Sequence, residues 1–189
     1  DHFGGASRLL KMFPVREVWT HECARIEAKP EWQDVLATAS EKRIAIRDLH
    51  RGLVYKENFT FPGEESAFWE IRVLHPDPFV CGETNSESIT LRIQGPGGSA
   101  LFTGDLTVEG EKEILATDIP LQSDIIKLGH HGSKTSSSEA FLEKVHPKIA
   151  LVSAGKNNRF KHPSKEIVER LKNHHIPMLN TAKVGSITF

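Results

Sequence analysis

The stretch Asp124-Ile125-Ile126-Lys127-Leu128-Gly129-His130-His131-Gly132-Ser133-Lys134-Thr135-Ser136 constrains this chain more than any other. Ile125, Ile126 and Leu128 form an apolar run bounded by polar residues, the pattern of a short buried strand. Gly129 at its end lets the backbone turn and delivers two imidazoles side by side. On an extended chain adjacent side chains point to opposite faces, so one histidine is expected to face a site and the other its supporting shell. The loop that follows carries hydroxyls and one cation, which suits an anionic substrate.

The chain has 189 residues and reads as one domain, residues 1–189, long enough to bury a core without disulfides. Its net charge of -1 at pH 7 excludes a protein that coats nucleic acid through a global basic field. Cys23 and Cys81 are too few for a disulfide framework or a cysteine-rich zinc site. No apolar run reaches the length of a membrane span. The opening Asp1-His2-Phe3-Gly4-Gly5 starts in the middle of a motif, so a fragment of a longer protein is expected.

Hydrophobic spacing divides the chain into alternating elements. Residues 6–13 read as a short helix ended by Pro14, and Val15 to Trp19 as a strand. Residues 31–42 are helical, and 43–58 read as a strand pair or a strand and turn. A strand at 68–74 and a hairpin of 88–94 with 100–102 follow, turning through Gly95-Pro96-Gly97-Gly98. That hairpin ends in Thr103-Gly104-Asp105, a carboxylate presented where the strand stops. Helices at 109–117, 138–145 and from Ser164 onward separate strands at 125–128 and 148–153. Met178-Leu179 and Ile187 to Phe189 are read as closing strands. Strands interleaved with helices imply a layered α+β domain.

Four places put a metal-competent group at a strand end or beside a glycine: Asp1-His2, Asp105, His130-His131 and His162. Histidine and carboxylate are the ligands of hydrolytic zinc, manganese or iron. Two ions about 3.5–4 Å apart both generate hydroxide at neutral pH and clamp the oxygens of a displacement at phosphorus. His21, His50, His75, His146, His174 and His175 match no motif and read as surface or strand-end residues.

The order Asp-His-x-Gly-Gly, Thr-Gly-Asp-Leu, Gly-His-His-Gly-Ser-Lys-Thr-Ser and His-Pro-Ser resembles the metallo-β-lactamase superfamily. More narrowly it resembles the hydrolase domain of ComEC-type DNA-uptake proteins. The resemblance extends from residue 1 to residue 189 and includes Pro14-Val15-x-x-Val18, Asn85-Ser86-x-Ser88 and Thr181-x-x-x-Gly185-x-Ile187. It implies an αββα sandwich, here N-terminally truncated, with zinc or manganese, up to two ions, one site being incomplete. The implied metal ligands are Asp1, His2, the bridging Asp105, and a late histidine, for which His130 is preferred over His162. No histidine stands between residues 76 and 129 as the family's middle ligand, and Asn85 occupies about that place. Asp1, His131 and Lys134 are the catalytic candidates, and Ser133, Lys134, Thr135, Asn158 and Arg159 the substrate-binding ones.

From Asp124 to Lys165 there are eight Lys or Arg against three acids, so the basic bias is local to the histidine loops. A basic rim around a metal cleft fits an anionic polymer followed along its backbone. The expected function is a metal-dependent phosphodiesterase or nuclease acting on DNA, single-stranded by preference, during DNA uptake. The alternatives are a small-substrate metallo-hydrolase of thioesterase or lactonase type and a catalytically inactive DNA-binding module. The resemblance implies a membrane channel domain in the parent protein, with this domain on the periplasmic or extracellular face; otherwise it is cytoplasmic. No stable oligomer is inferred.

Overall fold

Parallel strands need long crossovers and antiparallel ones do not, and both kinds of connection build the sheet of this protein. A computed structural model describes residues 4–21, 30–60, 65–78, 85 and 88–188. The large sheet has seven strands in sequence order: β3 (Val54–Phe59), β4 (Ala67–His75), β5 (Thr90–Gly95), β6 (Gly98–Phe102), β7 (Ile125–Lys127), β8 (Ile149–Val152) and β9 (Met178–Asn180). Strands β3 to β6 are antiparallel, and β6 to β9 are parallel. The parallel half is joined by α3 (Val108–Leu115), α4 (Glu139–Val145) and α5 (Lys165–Asn173).

Alternation along these strands sends one set of side chains to a common face. Leu101, Ile126, Ala150 and Val152 bury that face against Ile114 of α3, Phe141, Leu142 and Val145 of α4, and Ile167 and Leu171 of α5. Ser138 caps α4 and Ser164 caps α5, each accepting a hydrogen bond from the backbone N–H three residues on. The second sheet pairs β1 (Glu17–Thr20) in parallel with β2 (Ala45–Asp48). Helices α1 (Ala6–Met12) and α2 (Pro30–Glu41) pack with it through Leu10, Trp32, Val35 and Ala39, joined by Ile44 just before β2. Trp19 of β1 stacks on Tyr55 of β3, with ring centroids 4.5 Å apart, and so links the two sheets.

Two sequence readings change. Residues 43–58 do form strands with a turn at Arg51-Gly52, but the two strands are not a pair: β2 and β3 lie in different sheets, because β2 pairs with β1 and β3 with β4. A closing strand at Ile187 is absent. After β9, Asn180 caps the short helix α6 (Thr181–Val184), and 185–188 form no strand, while Phe189 lies outside the described residues. Cys23 and Cys81 lie outside them too.

The parallel half fixes where chemistry can occur. Its strands all end at one edge, about 4.8 Å apart, and the loops leaving their carboxyl ends are neighbours. Asp105 follows β6, His130 and His131 follow β7, and the 153–162 loop follows β8. Leu101 is fully buried on β6, the middle strand of the seven, where the parallel half begins. Leu101→Ala is expected to cost about 2–5 kcal/mol, read as a lowered urea midpoint at unchanged slope.

Candidate active site

Gly129 does not make the turn after β7. The turn Gly129–Gly132 is kinked and not helical inside: His130 (φ 47, ψ 45) and His131 (φ 57, ψ 22) both adopt the left-handed conformation. Non-glycine residues there cost about 1–3 kcal/mol each and persist only where the surroundings over-determine them. The constraints are visible. His130 N donates to Gly104 O at 3.2 Å, and Ser133 N to His130 O at 2.9 Å. Ser136 Oγ binds both Gly129 O (2.7 Å) and Ser133 O (2.9 Å). Gly129 supplies room: a Cβ there would stand 2.8 Å from Leu106 O and 3.1 Å from the Ser136 Cβ. The extended-chain expectation of opposite faces therefore fails, since both imidazoles line one cavity.

A buried clamp holds this turn from behind. Glu111 of α3, 2% exposed, accepts from the backbone N–H of Ser137 and of Ser138. Arg170 of α5 donates to the carbonyls of Ser136 (3.1 Å) and Ser137 (2.6 Å). Burial pushes the Glu111 carboxyl above its ordinary value, against the pull of those hydrogen bonds and of Arg170. Neither residue carries a motif in the sequence, because their partners are backbone groups.

On the opposite side Asp105, 6% exposed, is set by a second chain of contacts. Its N–H donates to Ser88 Oγ at 2.9 Å. His75, read from sequence as an ordinary residue, is buried; its Nδ1 lies 3.2 Å from Ser88 O and its Nε2 3.1 Å from Glu113. Lys127 is within electrostatic reach of this carboxylate, and its Nζ donates to Gly104 O at 3.0 Å. Burial lowers the Lys127 pKa, and the Asp105 charge opposes the shift.

These loops enclose a cleft of about 540 Å³ lined by Asp105, His130, His131, Arg159, Phe160 and His162, among others. His131 Nδ1 donates to Ser153 O at 2.7 Å, which turns Nε2 toward Asp105 Oδ1 at 3.6 Å. A carbonyl cannot donate, so the Nδ1 proton is fixed and the neutral ring presents an Nε2 lone pair to the cleft. The His130 and His162 rings lie 5.8 Å apart, and the Asn85 amide reaches His130 Nε2 at 3.4 Å. His130 Nδ1 and His162 Nδ1 are buried without a hydrogen-bond partner among the described residues. Burial, then the neighbouring His130 and His131, lower the His162 pKa.

Of the residues singled out in sequence, Asp105, His130, His131, His162, Asn158 and Arg159 line the cleft. Asp1 and His2 lie outside the described residues. Ser133, Lys134 and Thr135 are not at the cleft. Ser133 is buried against Thr135 Oγ1 at 2.9 Å, Thr135 O receives the first amide of α3, and Lys134 is exposed within electrostatic reach of Glu166. Asn158 is spent on its own loop, donating to Gly155 O and His162 O and accepting from His162 N. Lys148 pairs with Asp124 at 2.7 Å, holding that carboxyl well below its usual range, so it adds nothing to a basic rim.

The donor set has the chemistry of a divalent-metal centre: a buried carboxylate, an imidazole oriented by a backbone carbonyl, and two buried ring nitrogens with no partner among the described residues. Among the described residues, no group of three His, Cys, Asp or Glu converges enough to hold an ion alone.

Residues 1–156 match the metallo-beta-lactamase superfamily. The chain belongs to this superfamily. It is 34% identical over 189 residues to ComE operon protein 3 of Bacillus subtilis, covering 100% of this chain and 23% of that one. To Competence protein ComA of Neisseria gonorrhoeae it is 39% identical over 108 residues, 57% of this chain and 16% of the relative. To Recombination protein 2 of Haemophilus influenzae it is 31% identical over 192 residues, covering 99% and 20%. The chain thus spans less than a quarter of each of these relatives. As a metallo-beta-lactamase superfamily member related to competence proteins, it carries the hydrolase architecture of that group, whose members generally bind divalent metals.

Two variants test how the turn is held. Gly129→Ala is expected to cost about 1–3 kcal/mol by overpacking against Leu106 O, whereas Gly97→Ala, with open space at its Cβ, stays within about 0.5 kcal/mol. Paired urea melts distinguish them. For Glu111 the folded-state pKa is raised above 4.5, so the folded state holds its proton more tightly than the unfolded one. Its contribution to stability is present below pH 4.5 and is lost as pH rises through the folded value. Relative to Glu111→Gln, wild type should therefore lose stability on going from acid to neutral pH, read as converging or crossing urea midpoints.

Proposed function

We propose that this protein is a metal-dependent phosphodiesterase that cleaves DNA during its uptake. The observation that carries the reading is the Asp105–His131 pair. A carboxylate lies 3.6 Å from an imidazole nitrogen whose partner nitrogen is anchored on Ser153 O, in a cleft shared with His130 and His162. Asp105 with His130, His162 and the amino-terminal Asp1 and His2 would hold the metal, zinc or manganese. Once bound, divalent ions supply a nucleophile at neutral pH and neutralise charge on the phosphate oxygens.

The protein's own groups do the rest. His131 receives or returns a proton at Nε2, and its orientation costs nothing at the moment of reaction because the Ser153 bond is already made. Arg159 at the lip of the cleft meets a phosphate as a fork of donors that cannot lose its charge. Lys127 lies behind Asp105 and offsets its negative charge.

The relatives' names support the DNA assignment, one being a competence protein and another a recombination protein. No helix among the described residues is long and apolar enough to cross a membrane. The membrane channel in our reading is a separate part of the parent protein, with this domain on its outer face. One observation favours a second reading, a binding module without activity: no three described donors close on a single ion.

Hydrolysis of an end-labelled single-stranded oligonucleotide, with manganese or zinc against chelator, separates the two. Metal-dependent cleavage is expected, and His131→Ala should lower kcat by about 10²–10⁴-fold with unchanged far-UV circular dichroism. Binding of the oligonucleotide without cleavage under any metal supports the inactive module instead.

A further inference from the structure

Phe160 is a large apolar side chain that the fold leaves 63% exposed, in the polar loop at the mouth of the cleft. It is not on a slack tip. Asn158 ties the loop together through three hydrogen bonds to Gly155 and His162. The Arg159 guanidinium carbon lies 4.6 Å from the Phe160 ring centroid. The His162 ring lies 5.7 Å away and is nearly parallel, 17° from coplanar. An aromatic ring has thus been kept out of the core and set beside a cation and one of the cleft histidines, with most of its surface still exposed.

Three features limit what such a ring can take. Its exposed surface is flat and apolar, so the ligand needs a planar face. The adjacent guanidinium calls for an anion joined to that face. The nearly parallel His162 ring puts the bound face beside the cleft and not on a remote surface. A nucleotide unit, an aromatic base joined to a phosphodiester, meets all three, and only an unpaired base has its face free to stack.

We propose that Phe160, with Arg159 laid against it, is a stacking platform for one unpaired nucleobase beside the phosphate held in the cleft. This rests on the phosphodiesterase reading for its substrate class, and it adds the residue that selects single strands. Because every base has a π-face, the platform is indifferent to base identity.

The test is fluorescence anisotropy of labelled oligomers on the protein in chelator, so that no cleavage is required. Oligothymidylate is compared with an abasic deoxyribose-phosphate oligomer of equal length and charge. Wild type is expected to bind oligothymidylate more tightly. Phe160→Ala should weaken that binding by about 5- to 100-fold while leaving the abasic oligomer unchanged, and Phe160→Trp should restore it with quenched indole emission. Equal affinity of wild type for the two oligomers overturns the platform. So does an equal loss on both in Phe160→Ala, which would mark Phe160 as packing for His162. Base-selective binding without metal-dependent cleavage would keep the platform and discard the phosphodiesterase. Cleavage without base-selective binding would do the reverse.

Discussion

Two consecutive histidines in left-handed backbone conformation are the constraint on which this site depends. That geometry is unfavourable for L-residues, and a peptide of this sequence alone would not hold it. It persists because the turn is gripped on every side: by Gly104 O in front, by Ser136 Oγ beneath, and by Glu111 and Arg170 through the loop that follows. The result is that two adjacent rings, 6.4 Å apart, look into the same cleft. Had the chain stayed extended, one of them would have faced away.

The grip is expensive in buried polar groups, and the structure satisfies nearly all of them. Glu111 is desolvated yet receives two backbone amides, and Arg170 reaches two carbonyls. Removing either partner would leave the other's group buried and unpaired, which costs more than the bond itself contributes. At the cleft the buried Nδ1 atoms of His130 and His162 have no hydrogen-bond partner among the described residues. Two such nitrogens in one cleft, 5.8 Å apart ring to ring, call for an explanation, and a bound ion is the one the donor set suits.

Much of the architecture was legible in the sequence. Leu101, Ile126, Ala150 and Val152 stand in the short apolar runs expected of buried strands, and the helices between them follow from the spacing of apolar residues such as Ile167 and Leu171. Asp105 and the twin histidines announced themselves by standing where strands end. What was not legible has a common cause. Ser133 and Thr135 look like substrate hydroxyls until the loop is seen to fold back on itself. Asn158 looks like a ligand contact until its three loop hydrogen bonds are drawn. His75, Glu111 and Arg170 have no local signal, since their partners are backbone groups or side chains far along the chain.

Composition and periodicity alone decided that this chain forms a layered sheet with helices and that its donor residues sit at strand ends, because side-chain alternation and turn chemistry are local properties. Which donors meet was decided only in three dimensions. The parallel order of β6, β7 and β8 sets Asp105, His131 and Ser153 side by side, although 48 residues separate the first from the last. The left-handed turn then aims both imzidazoles inward. Neither outcome is encoded near the residues concerned, because each depends on hydrogen bonds whose two ends lie in different parts of the chain.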